Sequence, residues 1–149
     1  LSLAVAYIDL DGFKAVNDTL GHHAGDLVLT GFAGRLTALL RPDDLSARLG
    51  GDEFAVLLRK TGASGARRLA ERLIESLHRP FEIEGRTAKV GASIGIAVWP
   101  DHHRDPKEVL KAADAAMYAA KRVKPAYALH TADGPEVVCG GVVPSVAAA

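Results

Sequence analysis

Hydrophobic and polar positions along this chain alternate between two periods, and the switches between them outline the elements. Residues 3–8 form a continuous apolar run, the pattern of a strand covered on both faces. A short helical stretch, 14–20, follows "DLDG" and ends at Gly21. The next helix runs from about 25 to 40, with Val28, Phe32, Leu36 and Leu39 at helical spacing, and Pro42 stops it. Strand, "GGD" turn and strand occupy 46–58. After "KTGASG", a helix places Ala66, Leu69, Leu73 and Leu77 on one face, and a strand pair with "EGR" as its turn fits 81–99. In "DPKEVLKAADAAMYAAK", Asp105 reads as an N-cap, Pro106 as the first helical residue and Glu108 as the partner in a capping box. Its apolar stripe is Val109, Leu110, Ala113, Met117 and Ala120, and a last strand over 126–130 closes the sheet.

The resulting order, β-α-α-β-β-α-β-β-α-β without internal repeat, predicts an α+β fold. Its centre is a mainly antiparallel sheet with a βαββαβ core and helices packed on it. The 149 residues suit one domain, expected to span 1–130, with 131–149 as a linker or disordered tail because "CGGVVPSVAAA" is small, Gly/Pro-punctuated and aperiodic. The abrupt opening "LSLAVAYIDL", without Met, is what a cut just before a core strand would leave.

Composition narrows the classes. Apolar residues at 48% and charged residues at 24% fit a soluble globular protein, and eighteen basic side chains cancel eighteen acidic ones. No global field recruits nucleic acid or an anionic membrane, so neither is an expected partner. The single Cys139 excludes a disulfide framework and points to a reducing cytoplasm. No apolar run approaches the roughly 18–20 residues that span a bilayer, and no signal peptide is visible.

Chemistry concentrates in two stretches. In "LGGDEF", residues 49–54, two glycines suffice for a turn, yet Asp52 and Glu53 add adjacent like charges that need a cation or ligand to offset them. In "AYIDLDGFKAVND", Asp9 falls where a buried strand emerges, with Asp11 and Gly12 just beyond. An EF-hand reading fails, since Lys14 and Leu20 stand where that loop needs Gly and Glu. Alone, the stretch reads equally as an Asp-rich turn or a metal site. If the two strands are neighbours, Asp9, Asp52 and Glu53 converge on one sheet edge, a hard-oxygen set suited to magnesium shared with substrate phosphates. Lys14 and the N-terminus of the following helix would then offer positive potential to phosphates, and Gly50 and Gly51 would let a nucleotide approach the backbone.

The chain resembles the GGDEF domain family, the diguanylate cyclases, over about residues 4–121. The resemblance rests on "RLGGDEF", "IDLDGFKAVNDTLGHHAGD", "ASIGIAVWP" and "ADAAMYAAK", four motifs in order and at fitting spacing. It implies a fold like the palm of class III nucleotidyl cyclases and condensation of two GTP into cyclic di-GMP. Asp9 and Asp52 would bind two Mg²⁺ (or Mn²⁺) with the Leu10 carbonyl, and Glu53 would be a further ligand or help deprotonate the ribose 3′-hydroxyl. Phe13, by backbone, and Lys14 and Lys121, by side chain, would hold phosphates; Asn17 and Asp26 would read guanine. "RPDD" matches the family's inhibitory RxxD site, with Arg41 and Asp44 binding product and Arg72 as a secondary contact. The resemblance further implies an antiparallel pair of domains as the active unit, so the fragment alone should be slow.

His22 fits a structural place in "GHHAGD", and "PDHHRD", with its resemblance to a phosphoesterase signature, reads better as a solvated loop. Two departures from the family stand out. Its helix before the first strand is missing, and Lys124, Pro125 and Ala126 stand where Gly-Arg-Asn is usual, so a phosphate-binding Arg is lost unless Arg122 or Lys124 substitutes. A non-catalytic module that senses GTP or cyclic di-GMP is therefore the rival reading. The domain would be cytoplasmic, within a larger and perhaps membrane-bound sensor.

Overall fold

Side-chain alternation along the first strand organises the whole molecule, described here by a computed structural model covering residues 2–101, 104–139 and 145–147. Strand β1 (Leu3–Asp11) sits centrally, and its even residues Ala4, Ala6, Ile8 and Leu10 enter the main core. There they meet Val28, Phe32 and Leu36 of helix α2 (His22–Leu39) and Leu69 and Leu73 of helix α3 (Ala63–Ser76). Its odd residue Val5 packs the opposite way, with Val109, Ala112 and Ala113 of helix α4 (Pro106–Val123). The uninterrupted apolar run therefore has the expected cause, helices on both faces.

Four further strands, β2 (Leu45–Gly50), β3 (Glu53–Arg59), β6 (Gly91–Trp99) and β7 (Ala126–Leu129), join β1 and the edge strand β8 (Glu136–Cys139) in one sheet. The order is β2-β3-β1-β6-β7-β8, antiparallel throughout except for the β6–β7 pair. Helix α4 is the crossover that a parallel pair requires. The α+β architecture with a mainly antiparallel sheet is thus as the sequence predicts.

Three local differences have physical reasons. The strand pair expected over 81–99 is three strands: β4 (Phe81–Ile83) and β5 (Arg86–Lys89) form a small hairpin, and β6 turns away into the central sheet. Alternation hid that break, because Ala88, Val90, Ala92 and Ile94 enter one core at every second position straight through it. Within 131–149, read as linker or tail, β8 pairs antiparallel with β7, its half-buried Val137 and Val138 packed against the cores. At α4, Asp105 caps as expected, Oδ1 accepting from the Lys107 amide at 3.0 Å, but the Glu108 carboxylate lies 3.7 Å from Lys111. His102 and His103 lie outside the described residues. Among the described residues no helix is long and apolar enough to cross a membrane.

Candidate active site

Antiparallel pairing of β1 with β3 sets Asp9 opposite Glu53, so the two acidic stretches do meet at one sheet edge. The hairpin turn is tied to β1 by the Leu10 amide, which donates to the Asp52 carbonyl at 3.1 Å. Gly50 and Gly51 take φ of 145° and 50°, values that side-chain-bearing residues rarely adopt, which accounts for both glycines. Arg48 clamps the turn from outside, its Nε donating to the Gly51 carbonyl at 2.9 Å.

Alternation places Asp9 and Asp11 on the same side of β1 as Val5, towards α4. Both are buried, an expensive position for carboxylates. Asp9 is paired with the Lys121 ammonium from α4 by a short contact through Oδ2. Asp11 Oδ1 accepts from Ser93 Oγ at 2.7 Å, whereas its Oδ2 is buried without a partner. Burial pushes the Asp11 carboxyl up; the Ser93 hydrogen bond and the charge of Lys124 restrain it. Asp52 is raised to about 6, first by burial and then by the charge of Asp9 and a hydrogen bond with it. Lys121 is raised by its bond to Asp9.

The position of Lys121 follows from small residues. A Cβ on Gly95 of β6 would lie 2.1 Å from both the Ala113 carbonyl oxygen and the Met117 nitrogen, so α4 rests directly on the strand backbone. Ala112, Ala113, Ala116 and Ala120 continue that close seat. Among the described residues no three His, Cys, Asp or Glu side chains gather around one point to hold a metal. Asp9 and Asp52 do meet, close enough for the charge of Asp9 to oppose ionisation of Asp52, and Lys121 partly offsets it. Two hard-oxygen donors of this kind fit Mg²⁺ completed by phosphate oxygens and water.

Beside this acidic edge, α1 (Phe13–Leu20) begins at Gly12, and Phe13 is buried. Lys14 is exposed and pairs with Asp18 at 2.9 Å. The Asn17 amide lies against the first turn of α2, where a Cβ on Gly25 would be 1.8 Å from its Oδ1. The next residue, Asp26, opens a groove of about 510 Å³ lined also by Leu29, Ala33, Leu36, Arg48 and Phe54. His22 and His23 at the start of α2 are exposed, and His23 pairs with Glu84 at 3.0 Å.

The RxxD residues lie at the far end of β3, six residues or about 20 Å along the strand from Glu53. Arg41 Nη2 donates to the Arg59 carbonyl at 2.5 Å and to Thr61 Oγ1 at 2.6 Å, and its Nε approaches Asp44 Oδ2 at 3.4 Å. The Asp44 side chain is only 3% exposed; it accepts from the Arg41 and Arg59 amides. Arg41, Asp44, Lys60, Arg68 and Arg72 line one groove of about 400 Å³. Asp11, Ser93 and Arg48 are the site neighbours that motif reading left unassigned. The i, i+2 spacing of Asp9 and Asp11 was the available signal for the first.

Comparison with known proteins places the chain as a whole. The family model described as "Diguanylate cyclase, GGDEF domain" matches residues 1–125. Diguanylate cyclase TpbB of Pseudomonas aeruginosa is 51% identical over 123 residues, covering 80% of this chain and 28% of TpbB. The bifunctional diguanylate cyclase/cyclic di-GMP phosphodiesterase MucR of the same species is 48% identical over 118 residues, covering 79% of this chain and 17% of MucR. The chain thus spans less than a third of either relative. The crystal structure of the TpbB GGDEF domain superposes with a TM-score of 0.84 at 46% identity, over 87% of this chain and 83% of that one. Family model, sequence identity and topology agree, and this chain belongs to the GGDEF domain family of diguanylate cyclases.

Proposed function

We propose that this chain is the catalytic domain of a diguanylate cyclase, condensing two GTP into cyclic di-GMP and two pyrophosphates. The observation that carries the reading is the meeting of buried Asp9 with Asp52 beside Lys121, next to a groove that opens at Asp26. Asp9, Asp52 and the Leu10 carbonyl would hold Mg²⁺. When bound, that ion favours ionisation of a ribose 3′-hydroxyl and offsets charge on α-phosphate oxygens. Asp26 and Asn17 orient guanine, the carboxylate accepting from N1–H and N2–H. Lys14, Lys121 and the backbone at Phe13 position the triphosphate. The 3′-oxygen of one GTP bonds to the α-phosphorus of the other, and the bond to the β-phosphate oxygen breaks to release pyrophosphate. Glu53 takes the hydroxyl proton. Each domain holds one GTP, so two domains must face each other antiparallel, in the cytoplasm where GTP is available.

Lys124, rather than Arg122, takes over part of the missing Arg's work, because its charge reaches Asp11. The groove at Arg41, Asp44 and Arg72 binds product and holds domains apart. A pyrophosphate-release assay on the chain fused to a dimerising coiled coil tests the reading. Mg²⁺-dependent release with cyclic di-GMP as product is expected, and no release above buffer would refute it. The second reading, a sensor module, is favoured by Pro125 at the Arg position; GTP or cyclic di-GMP binding without release would establish it.

A further inference from the structure

We infer that Arg48 is a base-specificity residue, donating to the O6 and N7 edge of the guanine whose N1–H and N2–H edge is read by Asp26. This rests on the guanine-nucleotide reading above and adds the second half of its recognition. Register places Arg48 opposite Phe54, on the side of β2 and β3 where Phe54 packs against Phe32 of α2, ring centroids 4.9 Å apart. Arg48 and Asp26 therefore approach the same groove from opposite walls, β2 and α2. Between them Leu29, Ala33, Leu36 and Phe54 supply the apolar lining that a purine face requires.

Guanine carries donors at N1 and N2 beside acceptors at O6 and N7. A carboxylate satisfies only the donors, and a guanidinium fork is the complement of the acceptors. Adenine offers a donor, N6, where guanine has O6, so it would meet Arg48 with like polarity. The Arg48 guanidinium is also pre-positioned: Nε is used on the Gly51 carbonyl at 2.9 Å, and neither Nη makes a hydrogen bond among the described residues. Its outer edge can serve the base without a change at the turn. One guanidinium then links base choice to the turn that carries Asp52 and Glu53.

Calorimetry on the whole chain with Mg²⁺ and three nucleotides tests this: GTP, 7-deaza-GTP, in which N7 is a carbon, and ITP, which lacks the 2-amino group. The unmodified protein should bind 7-deaza-GTP about tenfold more weakly than GTP. In Arg48→Ala and Arg48→Met that preference should fall to about one, while the preference for GTP over ITP, carried by Asp26, persists. In Asp26→Ala the pattern reverses. If Arg48 only holds the turn, its substitution weakens all three nucleotides by one factor and leaves both preferences intact, which overturns the inference. So does equal binding of GTP and 7-deaza-GTP by the unmodified protein, a measurement that needs no variant to fold. No binding of GTP at all would instead remove the nucleotide reading, and the inference with it.

Discussion

Asp52 is pulled in opposite directions by folding and by the proposed chemistry. Folding places its carboxyl, partly buried, beside Asp9 and raises its pKa to about 6, above the usual value of about 4 for an unfolded Asp. The folded protein therefore holds a proton that the unfolded chain has already lost. That stabilisation is complete below about pH 4 and is lost as pH rises through about 6. Asp11, raised by burial, adds a slope of the same sign. Denaturant melts in EDTA should show the metal-free protein losing stability over that interval, and Asp52→Asn, neutral throughout, should flatten part of the loss. The same substitution removes a proposed Mg²⁺ ligand, so GTP turnover by the dimerised protein should fall at least about 100-fold, roughly 3 kcal/mol in the barrier. At the neighbouring cation, Lys124→Ala should lower turnover about fivefold, near 1 kcal/mol for one solvated charge, and more than Arg122→Ala does. Equal effects in steady-state assays would deny Lys124 the compensating role.

At the scale of elements, α4 is a lever whose seat determines where Lys121 arrives. The seat is backbone on backbone at Gly95, and neither the Ala113 carbonyl nor the Met117 amide can rotate away as a side chain would. Gly95→Ala should therefore cost about 3 kcal/mol or more, measurable as a lower denaturation midpoint. Activity should fall further than stability alone explains, because displacing α4 moves Lys121 off Asp9. At the start of the same helix, Asp105→Ala removes the bond to the Lys107 amide and should cost about 1 kcal/mol with little effect on turnover. Comparing the two variants separates loss of helix stability from loss of helix position.

For the whole molecule, β1 and β3 carry the acidic edge at one end and the Arg41 groove at the other. On the proposed reading, product bound at the second end would bridge to another domain without touching the first. Arg41→Ala should relieve cyclic di-GMP inhibition of the dimerised enzyme while initial turnover stays within about twofold, near 0.4 kcal/mol in the barrier. It should also cost about 1 kcal/mol of stability, since Arg41 ties the Arg59 carbonyl and Thr61. Inhibition unchanged in a rate assay at rising product would leave Arg41 with only that structural role.

Local patterning was enough to read most elements, because each signal lies within a few residues of its effect. Apolar runs, the Asp105–Pro106 start and the glycines at the turn needed no distant partner. The acidic residues were legible too, as adjacent like charges that demand an offset. Strand order was not legible: that β5 and β6 join different sheets, and that Val137 and Val138 make an edge strand, depends on partners far away in sequence. The pairing of Asp9 with Lys121, 112 positions apart, and of Asp11 with Ser93, 82 apart, needed the sheet and the seating of α4. The groove shared by Asp26 and Arg48 likewise exists only once α2 lies over β2 and β3. Which groups could do chemistry was readable from the chain alone, because side-chain type and local backbone are local properties. Which groups meet, and with what charge, was decided only by tertiary structure, because burial and distance are properties of the packed whole.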